Sequence, residues 1–90
     1  MNIQVKEASV TAVKDGVDLG EMTSVNSGSY YIIDHTTVYD AARGLGVGKK
    51  LVAAFVEHAR EKGMKVLPLC PFAKAEFEKN SAYTDVLYYN

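Results

Sequence analysis

The sequence predicts an α/β protein (α+β in the stricter sense), with a mixed, mostly antiparallel sheet and one or two packed helices. Three observations carry that expectation. The first forty residues are rich in alternating, β-branched and aromatic segments, broken at Asp15-Gly16 and at Asn26-Ser27-Gly28. From Gly48 the apolar spacing changes to that of a helix. A short apolar run, "MKVLPLC", then follows the helix, so strand, helix and strand over residues 29–70 form one crossover unit with parallel strands. At 90 residues the chain is expected to be one domain, 1–90, with a modest core.

The elements follow in order. "ASVTAVK" alternates and reads as a strand. Asp15-Gly16 is a strong hairpin signal. "VDLGEMTSV" is the returning strand, with Gly20 read as a bulge. "SYYIIDHTTVY" is the densest in aromatic and β-branched residues and should be the best strand. In the helix, Leu51, Val52, Phe55, Val56 and Ala59 share one face, and Lys49, Lys50, Glu57, Arg60 and Glu61 the other. Gly63 suits the position just past its end. Pro71 suits the first turn of a second helix, "PFAKAEFEKN". The tail "AYTDVLYY" is apolar enough to pack back as a last strand.

Composition narrows the function. The chain is 48% hydrophobic and 23% charged, with a net charge of −1, which argues against bulk attraction to nucleic acid. No apolar run approaches the ~20 residues of a membrane span. The start, "MNIQVKEASV", has neither the charged nor the apolar part of a signal peptide, so a cytoplasmic location is expected. Residues 1–42 hold two lysines against six acids, and residues 43–90 hold eight Lys and Arg against five acids. That asymmetry reads either as scatter or as a local anion site beginning at Arg43. The one cysteine, Cys70, makes neither an internal disulfide nor a metal cluster. It is a buried filler or a reactive thiol.

The segment "DAARGLGVGKKLV" places glycines at 44, 46 and 48 ahead of the helix. A helix N-terminus carries unpaired N–H groups and a positive dipole end, and glycines let backbone close around an anion. A P-loop fails, because Arg43 and Lys50 stand where Gly and Ser/Thr are needed. A dinucleotide fingerprint fails from either Gly44 or Gly46, where Lys49 or Leu51 takes the last glycine's place. Arg43-Gly44-Leu45-Gly46-Val47-Gly48 matches R-x-x-G-x-G, and in this the chain resembles the GNAT N-acetyltransferase superfamily. With the strand "HTTV" and the segment "PLCPF", residues 8–88 resemble its small, single-domain branch.

The resemblance implies a reduced GNAT-type fold with a splayed parallel strand pair, and binding of acetyl-CoA or coenzyme A. The pyrophosphate would lie on the N–H groups from Gly44 through Gly46, Val47 and Gly48 to Lys49, with Arg43 and Lys49 neutralising it. The pantetheine arm would pair with the edge of the strand holding Thr37 and Val38. Leu45 departs from the basic or polar residue common there, and costs one side-chain contact. Aligning Ala73 with the family's A-x-x-F-Y run puts Phe77 where a tyrosine acid usually stands. Cys70 then supplies the proton or relays the acyl group, or no protein acid is used.

His35 is either a strand-end histidine bonded to backbone or the general base for an alkylammonium acceptor, for which a pKa near 6.5 is well matched. Alternation would set it on the face of Tyr31, Ile33 and Thr37. His58, near the edge of the apolar helix face, reads as structural or solvated, and Tyr30, Tyr31 and Tyr39 as core and rim.

The expected function is acetyl transfer to an amine or thiol. The tight turn at Lys14–Val17 leaves an open cleft, suited to a protein or peptide side chain or to a small amine. One rival is a CoA- or acyl-CoA-sensing module without turnover, which Phe77 favours and His35 and Cys70 oppose. Another is a protein-interaction domain whose glycine loop only turns the chain. The oligomeric state is not legible.

Overall fold

A computed structural model describes residues 1–6, 8–42 and 44–88. Five strands form one sheet in sequence order: β1 (Asn2–Val5), β2 (Ser9–Lys14), β3 (Val17–Asn26), β4 (Tyr30–Val38) and β5 (Lys65–Pro68). The first four are antiparallel, and β5 runs parallel to β4. The crossover between them is α1 (Val47–Lys62), preceded by a 3-10 turn at Asp40–Ala42. After β5 come α2 (Pro71–Lys79) and a second 3-10 segment, Ser81–Val86. No helix among the described residues is long and apolar enough to cross a membrane.

The turn chemistry is local. Asp15 and Gly16 both take positive φ, 52° and 78°, as the tight hairpin joining Lys14 to Val17 requires. Asn26 Oδ1 accepts from the Gly28 N–H at 2.9 Å and closes the next turn. At the end of α1, Gly63 sits at φ 67°. Its N–H donates to the Arg60 carbonyl and that of Met64 to the Ala59 carbonyl, a Schellman closure that frees the chain to enter β5.

The core lies between the sheet and α1, which crosses all five strands. Leu51, Val52, Phe55, Val56 and Ala59 are fully buried, against Val10, Ala12, Met22, Ile33 and Val66. The helical face expected from spacing is the buried face, extended by Val47 one turn earlier.

Two expectations need correction. The extra residue of the β3 bulge is Leu19, between the pairs Ala12↔Gly20 and Val13↔Asp18. A Cβ on Gly20 would stand 2.8 Å from the Thr37 carbonyl oxygen and 3.1 Å from Val47. Gly20 thus lets β4 and the start of α1 close onto β3. Among the described residues the tail forms no strand: it is 3-10 up to Val86, then joins β5 through a parallel bridge, Val66↔Leu87.

Arg60 holds that tail. Its Nε donates to Asp85 Oδ2 at 2.9 Å and its Nη2 to Asp85 Oδ1 at 2.8 Å, while Nη1 reaches Glu57. The guanidinium holds the Asp85 carboxyl below its usual range. A carboxyl depressed in the folded state adds stability above its unfolded pKa and loses it as pH falls through the folded value. We expect the tail to loosen once the pH drops below about 4. The reporter is the Tyr88 N–H, which donates to the Val66 carbonyl at 2.9 Å. Its hydrogen-exchange protection, corrected for intrinsic rate, should decline there before that of α1. Parallel decline of the two would mean that the exposed ion pair contributes nothing to the tail.

Candidate active site

β4 and β5 pair only from Tyr30↔Lys65 to Ile33↔Pro68. Leu69 and Cys70 then both donate their N–H groups to the Ile33 carbonyl, at 3.1 Å each, and the two chains part. β4 runs on to Val38 paired with β3 alone. Its other edge therefore faces an opening, with the start of α2 on the far side. This is the splayed parallel pair expected from the sequence.

Cys70 stands where the strands divide. It is the N-cap of α2 and 7% exposed. Its thiol donates across the gap to Thr36 Oγ1 on β4, at 3.4 Å. Burial pushes the thiol pKa up, but the Thr36 hydroxyl and the N–H groups of Ala73 and Phe72 more than offset it, and the net direction is down. Those two amides belong to the first turn of α2. They close no cap hydrogen bond on the thiol, but their dipoles favour the thiolate. Thr36 was not singled out in the sequence, although it lies inside the quoted "HTTV" strand. Strict alternation pointed to its neighbour instead.

The reason is a bulge in β4. Ser24 pairs with Ile33 and Thr23 with His35, so Asp34 is extra. Side chains directly opposite in a sheet share a face. Ile33 and Tyr31 are buried against the core, and Thr36 sits opposite buried Met22. His35 and Thr37 sit opposite Thr23 and Glu21, on the outer face. The expectation that His35 shares a face with Tyr31 and Ile33 is therefore wrong, and it does share one with Thr37. His35 is exposed, and its side chain makes no hydrogen bond among the described residues. Asp34 does not orient it: its Oδ1 accepts from Thr23 Oγ1 at 2.6 Å.

The glycine loop divides into two kinds of glycine. Gly44 and Gly46 take φ 84° and 69°, with nothing within 4 Å of a Cβ on either. They turn the chain, in the open. Gly46 is the N-cap and offers no side chain. The N–H groups of Val47, Gly48 and Lys49 come before the first intrahelical bond, from the Lys50 N–H to the Gly46 carbonyl at 3.2 Å. Gly48 is helical, and its missing side chain faces the Phe72 ring. The Val47 side chain is core, while Lys49 is exposed. Thr37 and Val38 lie on the stretch of β4 that pairs with β3 but not with β5, and are exposed. Arg43 lies outside the described residues.

His58 packs as its structural reading expects, with ring centroids 5.9 Å from Phe55 and 5.7 Å from Tyr31. Phe77 is buried beside Tyr83, centroids 5.3 Å apart. It lines an apolar cavity of about 230 Å³ with Leu67, Pro68 and Leu87. That cavity includes neither Cys70 nor any β4 residue, so it is separate from the candidate site.

A mixed sheet whose one parallel pair divides beside a glycine-initiated helix is the architecture of the N-acetyltransferase class. Residues 8–86 match the family model of the GCN5-related N-acetyl-transferases, and the chain belongs to that family. The solution structure of a GCN5-like protein from Staphylococcus aureus, assigned as an N-acetyltransferase, is similar at 38% identity and a TM-score of 0.77, over 99% of this chain and 89% of that one. The ribosomal-protein-alanine N-acetyltransferase from Brucella melitensis biovar Abortus shares the fold at 20% identity and a TM-score of 0.62. The match covers 94% of this chain and 65% of that protein. No protein with a curated description matches the sequence.

Proposed function

We propose that the protein binds acetyl-CoA and transfers its acetyl group to an amine. The observation that carries this is the thiol of Cys70, held across the division of β4 and β5 from Thr36 at 3.4 Å. The slot fits the cofactor in two places. The first-turn N–H groups of Val47, Gly48 and Lys49 lie uncapped behind two open left-handed glycines, which suits a pyrophosphate. Lys49 adds charge there and Gly44 and Gly46 supply the turn, while a charge from Arg43 is proposed from its place in the R-x-x-G-x-G motif alone. The unpaired edge at Thr37 and Val38 suits the amide-bearing pantetheine arm.

An ammonium acceptor must lose two protons, one before it attacks and one as the amide forms, and the leaving thiolate must gain one. An N–C bond forms, the thioester C–S bond breaks, and the departing CoA thiolate takes a proton. His35, on the outer face, accepts the proton of an ammonium approaching from that side. Cys70, on the helix side, either gives its proton to the leaving thiolate and recovers the second amine proton, or first takes the acetyl group on its own sulfur while its thiol proton leaves with CoA. Base and thiol thus flank an open slot from opposite faces. The tight turn at Asp15-Gly16 leaves the outer face uncovered, which suits an amine on a protein or peptide, or a small free amine.

A second reading is a CoA or acyl-CoA sensor without turnover. It is favoured by Phe77, which is buried in the core and offers no acid.

Incubation with acetyl-CoA, with and without amine acceptors, separates the readings. Amine-dependent CoA release supports transfer, and an acetyl mass on Cys70 supports the relay. Saturable binding without release supports the sensor, and no binding overturns both. CoA affinity should also fall with added salt, because exposed charges are screened within about 10 Å at 0.1 M.

A further inference from the structure

The third glycine of the loop has a use that its motif does not reveal. A Cβ built on Gly48 would stand 2.6 Å from Phe72 Cζ and 2.8 Å from Cε1. The tip of the Phe72 ring therefore rests on the bare backbone of the first turn of α1. Phe72 belongs to the first turn of α2, two residues past Cys70. It is 39% exposed, so burial of its own surface is a weak reason for the ring to sit there. We infer that Phe72, seated on Gly48, is a positioning residue: it sets the spacing of the two helix starts and so holds Cys70 against Thr36.

The chain of contacts is short. α1 is fixed by its buried face across the sheet. The ring meets α1 at Gly48, where a side chain is missing. α2 is nine residues long and buries two side chains, Ala73 and Phe77, so its first turn depends on what it touches. Cys70 lies in that turn, with its backbone tied to the Ile33 carbonyl. Thr36 from β4 and the amides of Phe72 and Ala73 from α2 face its sulfur. Among the described residues, no carboxylate, histidine or cationic side chain bonds to it. A change in its reactivity when the ring is moved therefore reports position rather than a lost charge.

This inference rests on the reading of Cys70 as the reacting thiol, and its test is separable from that reading. The pH profile of Cys70 alkylation is measured in the free protein, without acetyl-CoA, beside a thermal melt. Gly48→Ala leaves helix propensity at least as good but displaces the ring. We expect it to move the midpoint of alkylation up toward the ~8.5 of a free thiol, and to slow alkylation at pH 7 by roughly threefold or more, which is half a pKa unit. Adding Phe72→Leu, which removes bulk where the new methyl adds it, should return the profile toward that of the parent. Phe72→Ala alone should shift the midpoint in the same direction as Gly48→Ala, and it serves as the test if Gly48→Ala does not fold. Profiles that coincide with the parent in the folded variants would overturn the proposal, because the ring then swings into solvent without moving the thiol. So would a Gly48→Ala shift that Phe72→Leu does not reverse. If no acetyl transfer is found but the shift and its reversal are, the function fails and the positioning stands.

Discussion

Cys70→Ala should lower acetyl transfer by about a hundredfold or more, the scale on which a positioned acid–base group acts. CoA affinity should change little, because the proposed phosphate site is at the start of α1 and not at the start of α2. The expectation follows from the position of the thiol. It is the N-cap of α2 and it spans the slot to Thr36. Cys70 belongs to the same buried cluster as Ala73 and Phe77, at 7% exposure. An alkylating reagent should modify Cys70 in the free protein at a pH below the ~8.5 of an ordinary thiol, and CoA should protect it. Cys70→Ser separates the two possible roles. A hydroxyl can hold a proton but is a far weaker acyl carrier, so partial activity points to the acid and none to the relay. Undiminished turnover in Cys70→Ala would remove the residue from the chemistry and leave it as packing.

The largest loss of stability is expected at Phe55. Its side chain is fully buried in the middle of α1, with ring centroids 5.3 Å from Tyr31 and 5.9 Å from His58. Phe55→Ala removes a ring from the layer that joins the helix to the sheet, and should cost about 3–5 kcal/mol. Against a stability of about 5–15 kcal/mol for a small domain, that is much of the total. Urea unfolding is the measurement, with the m-value held as a check on the two-state form. A Phe55→Leu variant should lose much less, because it keeps most of the volume. A loss below about 1 kcal/mol for Phe55→Ala would mean that the core collapses around the gap.

The helix was the most legible part of the chain. Five apolar positions at helical spacing and a glycine stop need no tertiary information, and all five are buried. β1 was not legible. "NIQV" is four residues long, only Ile3 in it is even half-buried, and its pairing with β2 gives it its structure. The bulge at Asp34 was hidden for another reason. Asp34, His35, Thr36 and Thr37 are all polar, so an added residue leaves no break in the apolar pattern. The face of His35 was misjudged as a result, and Thr36 was passed over. The loop shows the limit of spacing as a guide. Gly44 and Gly46 are required by their dihedrals, and Gly48 by a ring 24 residues further on. The motif R-x-x-G-x-G writes Gly46 and Gly48 alike and leaves Gly44 unspecified.

Asp34 can also be regarded as a one-residue insertion that separates folding from activity. With it deleted, β3 could keep every partner it has: Ser24 opposite Ile33, Thr23 opposite His35 and Met22 opposite Thr36. No core side chain would change face, and β4 would lose only its local bend and added twist. A straight β4 could stay zipped to the chain after β5, and the slot would close. The deletion would then give a protein that melts much like its parent and has nowhere to put a thioester. An alignment that treats this position as a neutral gap would miss the difference between a fold and an opening.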